Sequence, residues 1–145
     1  MRHFILWALL IQPSLSLAGH PIHPWIRVCM TSGGIYELAN DGKKEVALCK
    51  LGDAILSASS LVIYKSQFEI PTAIESYLNT SNPDPNFTCA SKGARDGSLH
   101  NKLHTYNVCT FIDDSFILQD SLQQGPSSES NQSLNRALDL YAGEN

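Results

Sequence analysis

CMTSGGIYELANDGKKEVALC, residues 29 to 49, carries a complete chain reversal between two cysteines. Ile35-Tyr36-Glu37-Leu38 reads as a strand, Asn40-Asp41-Gly42 as a tight turn whose glycine tolerates positive φ, and Glu45 to Cys49 as the returning strand. Just upstream, Pro24 suits the first turn of a short helix. Trp25, Ile26, Cys29 and Met30 fall on one side of it, and Gly33-Gly34 ends it. The stretch therefore predicts a helix leading into an antiparallel hairpin, with Gly33, Gly34 and Gly42 as structural turn residues.

The same frame recurs 60 positions later. Cys29 and Cys49 are 20 apart, Cys89 and Cys109 are also 20 apart, and Gly93 follows Cys89 as Gly33 follows Cys29. Beyond each second cysteine come Leu51 and Phe111, an acidic turn at Asp53 and Asp113, and the apolar pairs Ile55-Leu56 and Phe116-Ile117, the last matches requiring one inserted residue in the second copy. Such spacing points to a duplicated unit. Four cysteines allow three pairings. Duplication favours one bridge per copy, Cys29 with Cys49 and Cys89 with Cys109. At about 40 residues a unit is near the limit for a core without staples, and closing a loop of this size stabilises by roughly 3 kcal/mol.

In the second copy, Phe87 to Lys92 reads as a short helix stopped by Gly93, Arg95-Asp96-Gly97 as a turn, Leu103 to Ile112 as a strand and Phe116 to Leu122 as the last strand. In the first, the β-branched end of Ala54 to Lys65 argues for a strand or extended tail after a turn of helix. Between the copies, Thr72 and Glu75 are spaced as a capping box for a linker helix. Gln123 to Ser133 is polar and reads as a flexible linker before a final helix capped by Ser133. The expected fold class is α+β: two small disulfide-stapled units, each a short helix followed by an antiparallel hairpin or small sheet. Its parts are a signal peptide at 1–18, a first unit at 19–66, a linker helix and loop at 67–84, a second unit at 85–123, and a polar linker with a short helix at 124–145.

The signal peptide rests on Arg2, the apolar run Phe4 to Ile11, and Ser16 and Ala18 at the gripping positions of a cleavage site. Gln12 and Pro13 interrupt the run well short of the roughly 20 residues a membrane span needs. Cleavage after Ala18 would leave 127 residues with nine Lys and Arg against 14 Asp and Glu, a net charge of −5. No basic stripe is present to neutralise phosphates, which argues against a nucleic-acid partner, and no later stretch approaches spanning length.

The arrangement Cys29-x3-Gly33-Gly34-x14-Cys49-Lys50-Leu51, followed by Leu61-Val62-Ile63-Tyr64-Lys65, resembles a family of small exported bacterial proteins catalogued as domain of unknown function 333 and labelled hemolysins. The resemblance spans residues 25 to 65 and, less closely, 85 to 124, as two tandem copies. Two departures stand out. The family's Trp-containing segment after the second cysteine is here Ser60-Leu61-Val62, and the second copy has Gly93-Ala94 and ends in Gln123-Gln124 without an aromatic. The resemblance implies a periplasmic or secreted location and a small disulfide-containing fold. It brings no catalytic residues with it.

The remaining residues point to no cofactor and no catalytic set. His100 and His104 are four apart, but Asn101 stands where the zinc-protease helix needs Glu, and a strand would separate the rings by about 13 Å. His20 and His23 would suit copper only if cleavage fell after Gly19. Gly33-Gly34 lacks the Lys-Ser or Lys-Thr of a phosphate loop, and Asp113-Asp114 reads as a turn. Asn79, Asn86 and Asn131 head glycan-acceptor patterns that would matter in a eukaryotic secretory route. The leading expectation is a non-catalytic binding module for an unidentified protein or envelope ligand; a membrane-perturbing factor is the second reading and an uncharacterised hydrolase the third.

Overall fold

The computed structural model describes residues 21–81 and 83–141. The segment read as a signal peptide, its cleavage site and His20 lie outside these residues. From Pro24 the chain forms α1 (Pro24–Thr31), β1 (Ile35–Asn40), β2 (Glu45–Leu51), β3 (Ala54–Ser57), α2 (Ala58–Lys65) and α3 (Thr72–Leu78). After a short 3-10 turn at Ala90–Lys92 it repeats with β4 (Arg95–His100), β5 (Thr105–Thr110), β6 (Phe116–Leu118), α4 (Gln119–Gln124) and α5 (Gln132–Ala137).

The six strands close one barrel in the order β1-β2-β3-β6-β5-β4, every neighbour antiparallel. This corrects the expected fold class of two small helix-and-hairpin units. The physical reason is edge pairing. A three-stranded meander leaves both outer strands with unspent backbone groups, and here each half closes the other's edges. Two contacts make the closure, Asn40 opposite His100 and Leu56 opposite Ile117. Each joins a residue to its own counterpart in the other copy, so both lie on a pseudo-twofold axis. The one-residue insertion falls in the β5–β6 turn, where Asp114 takes φ 61°.

Cys29 bonds to Cys49 and Cys89 to Cys109, with Cα separations of 5.5 and 5.3 Å, one bridge within each half. The turns before β1 and β4 explain this. Gly33 and Gly93 adopt φ of 84° and 74°, and the next residue donates its N–H back to the first cysteine's carbonyl at 2.9 Å in both copies. A Cβ on Gly34 would lie 2.5 Å from Cys49 Sγ, so the backbone passes directly against the bridge.

Two apolar clusters use opposite faces of the strands. Ala39, Leu48, Ile55, Leu99, Val108 and Phe116 come from all six strands and no helix; they fill the barrel. The larger cluster packs the helices on the outside of the barrel wall, with both disulfides, Leu56, Leu61, Tyr77, Phe111, Ile117 and Leu134 at its centre.

Several local expectations change for physical reasons. Residues 58–65 are helix rather than an extended tail, because burial of Leu61 against the outer cluster overrides the β preference of Val62 and Ile63. Arg95 to Gly97 lies within β4, and the reversal comes at 101–104, where Asn101 Oδ1 accepts from the N–H groups of Leu103 and His104 at 2.9 and 2.8 Å. The last strand ends at Leu118 and continues as α4. The polar stretch after Gln123 is held by buried Asn131, whose amide donates to the carbonyls of Ser121 and Gly125. Asn131, not Ser133, takes the N-cap position of α5. Thr72 forms no capping box either. Pro71 is the N-cap of α3, and the side chains that meet the exposed amides come from the other half: Asp113 Oδ2 accepts from Thr72 N at 2.8 Å and Ser115 Oγ from Ala73 N at 2.9 Å.

Candidate functional site

The two hairpin tips are built alike. Asp41 Oδ1 accepts from Lys43 N and Lys44 N at 2.8 and 2.9 Å, as Asn101 Oδ1 accepts from Leu103 N and His104 N in the other tip, and Gly42 takes φ 90° with its N–H donating to Asn40 Oδ1. Those two backbone bonds, the one from Lys44 first, hold the Asp41 carboxyl below its ordinary value. Because β1 and β4 meet only at Asn40 and His100, each tip overhangs the first half of the opposite half's leading strand. Two mouths result, one on each side of the axis.

In the first mouth Glu37 of β1 reaches across to the β4–β5 tip, where its Oε2 accepts from Asn101 Nδ2 at 3.0 Å and from the Tyr106 hydroxyl at 3.2 Å. Burial first, and then the Glu37 charge, push the Tyr106 hydroxyl upward. In the second mouth the position of Glu37 is taken by Gly97, and a cleft of about 490 Å³ opens. The β1–β2 tip supplies Asp41, Lys43 and Lys44; β4 supplies Arg95, Asp96, Gly97, Ser98 and Leu99; Thr110 and Asp114 complete the wall. Neither lysine nor Arg95 has a carboxylate within ion-pair distance among the described residues, where Lys65 with Asp139 is the ion pair present. Asp96 instead accepts from Gln119 Nε2 at 3.0 Å. A smaller cleft beside it, lined by Trp25, Val46, Ser59 and Phe116, shares Lys44 and Asp114.

No family model, curated protein or solved structure matches this chain.

The residues singled out from sequence lie elsewhere. The four cysteines are oxidised and sit in the outer core; Gly34 lies against the first bridge, while Gly33 and Gly93 make the positive-φ turns and face open space. Only the turn held by Gly42 adjoins the cleft. His100 ends β4 with Nδ1 3.0 Å from Thr105 Oγ1, while the His104 ring sits against Tyr106 with centroids 5.7 Å apart. His23 caps α1 and meets the edge of Trp25. No cluster of three potential metal ligands occurs among the described residues. Of the glycan-acceptor asparagines, Asn79 and Asn86 are exposed and Asn131 is buried with its amide fully engaged. Asp113 serves α3. Its burial would raise the carboxyl, but bonds from Ser115 and Thr72 outweigh this and hold it low.

A second cavity of about 410 Å³ lies between the end of α2 and Leu138. Its cation, Lys65, is already satisfied by Asp139 at 2.6 Å. The mouth beside Gly97 joins open space to cations that form no ion pair among the described residues, the two lysines acting by charge on Asp41. Aligning the two copies position by position would have found it, since Glu37 against Gly97 is a change of both charge and volume.

Proposed function

We propose that this chain is an exported, non-catalytic binding module, with the double-bridged barrel as scaffold and the mouth beside Gly97 as its contact surface. The observation that carries the reading is the gathering of Lys43, Lys44 and Arg95 around an open cleft, none of them in an ion pair among the described residues. The apolar run Phe4 to Ile11 before Ser16 and Ala18, read as a leader, and two disulfides of a kind that persists in oxidising compartments support the export half of the proposal. No helix among the described residues is long and apolar enough to cross a membrane.

The test takes protein recovered from an exporting host. Its N-terminus is expected at Gly19; a chain still carrying Met1 overturns export. The same material is then given a panel of ester, peptide and glycoside substrates and vesicles loaded with dye. Neither turnover nor leakage is expected at micromolar protein. Turnover would replace the binding reading with a hydrolase, and dose-dependent leakage would replace it with a membrane-perturbing factor.

A further inference from the structure

We propose that the mouth beside Gly97 binds a small organic carboxylate, its head among Lys43, Lys44 and Arg95 and its short apolar stem toward Leu99; this rests on that mouth being the contact surface.

The internal symmetry supplies the comparison. An offset of 60 sets Glu37 against Gly97, Asn101 against Asp41, Tyr106 against Val46, and the tip residues Leu103 and His104 against Lys43 and Lys44. In one mouth the barrel supplies its own carboxylate, and that group is received by two donors on the opposing tip. In the other mouth the carboxylate is missing, the Tyr106 hydroxyl is replaced by Val46, and the tip presents two ammonium groups with Arg95 opposite. A guanidinium and two ammonium groups lining one cleft offer the kinds of donor a carboxylate requires.

The anionic side chains already in the cleft do not fill this role. Asp41 is turned into its own loop by the bonds from Lys43 N and Lys44 N, and Asp96 is held by Gln119. Asp114, exposed on the rim, carries a negative charge that disfavours a polyanion relative to a monocarboxylate. Leu99 lines the cleft as its apolar residue, and a short stem would lie over it and the Gly97 backbone, beside the Thr110 hydroxyl.

The experiment is an NMR titration of the full chain with butyrate, with its neutral counterpart butyramide, and with sulfate. Butyrate is expected to give saturable shifts at the amides of Lys44, Gly97 and Thr110. Butyramide should leave them in place, and sulfate should bind several-fold more weakly. The double variant Lys43→Ala, Lys44→Ala alters exposed side chains and should weaken butyrate about tenfold. Gly97→Glu, which restores the internal carboxylate once Thr110 and Val108 shift by a few tenths of an ångström to admit its Cβ, should abolish binding, with an unchanged amide spectrum away from the mouth as the check that the barrel is folded. Glu37→Gly empties the twin mouth without adding cations and should create no second butyrate site. Unchanged butyrate affinity in the lysine variant, or equal response to sulfate, overturns the proposal. If butyramide moves these amides and butyrate does not, the carboxylate assignment fails while the mouth stands as a contact surface. If none of the three probes moves them, the carboxylate assignment fails, while the binding-module reading is decided separately by the turnover and leakage assays.

Discussion

Asp113 shows how one carboxylate can tie two halves of a chain. It accepts from Thr72 N at the start of α3 and from Ser115, so a turn of the second half completes a helix of the first. Asp113→Ala should cost about 1 kcal/mol at neutral pH, the usual worth of a lost N-terminal cap. The pH dependence has a definite sign. A carboxyl held low in the folded chain contributes stability that is fully present above the unfolded value of about 3.9 and is lost as pH falls through the folded value. Urea midpoints at pH 7 and at about pH 3 should therefore show the gap between wild type and Asp113→Ala narrowing on acidification. A gap that stays constant or widens would mean that the charge of Asp113 does not support α3. Buried Tyr77 makes the neighbouring link: its hydroxyl, pushed up by burial and then by Tyr141, donates to Asn135 of α5.

At the level of elements, the bridges and the sheet belong to one cooperative unit. Cys29 and Cys49 join α1 to β2, yet β2 also pairs through β3 to β6. Removing both cysteines should lower stability by roughly 3 kcal/mol and leave Cys89 bonded to Cys109. Chemical unfolding should remain a single transition, and a separate early transition for the first half would contradict closure of the barrel. What was legible in the sequence follows the same division. Cysteine spacing and the Asn40-Asp41-Gly42 turn are local, and both bridges and the first hairpin could be read from them. The partners of β3 and β6 are about 60 residues away, and a strand's edge leaves no mark in its own residues, so closure was not legible. Arg95-Asp96-Gly97 resembled a turn because glycine usually marks one. Here Gly97 is small because a Cβ would meet Thr110 Oγ1 at 3.1 Å and Val108 Cγ2 at 3.2 Å. The cleft was hidden for a related reason: its lysines and Arg95 are about 50 positions apart and become neighbours only when the two tips overlap.

On the scale of the whole molecule, the barrel has one interior shared by both copies, with Ala39, Leu48 and Ile55 from the first half packed against Leu99, Val108 and Phe116 from the second. Neither half encloses that interior alone. Residues 19–81 expressed by themselves should associate in pairs, with Asn40 meeting Asn40 and Leu56 meeting Leu56 where His100 and Ile117 now stand. Sedimentation should report twice the fragment mass; a folded single fragment would show that one meander is self-sufficient. The axis through these two contacts makes the tandem chain equivalent to a homodimer whose subunits have been fused. A true homodimer must repeat every substitution on both sides, so a glycine that opens one mouth opens the other and a glutamate that fills one fills both. A tandem chain is free of that constraint. One lobe can keep Glu37 as an internal strut while its twin carries glycine and positive charge, a division of labour closed to a symmetric dimer.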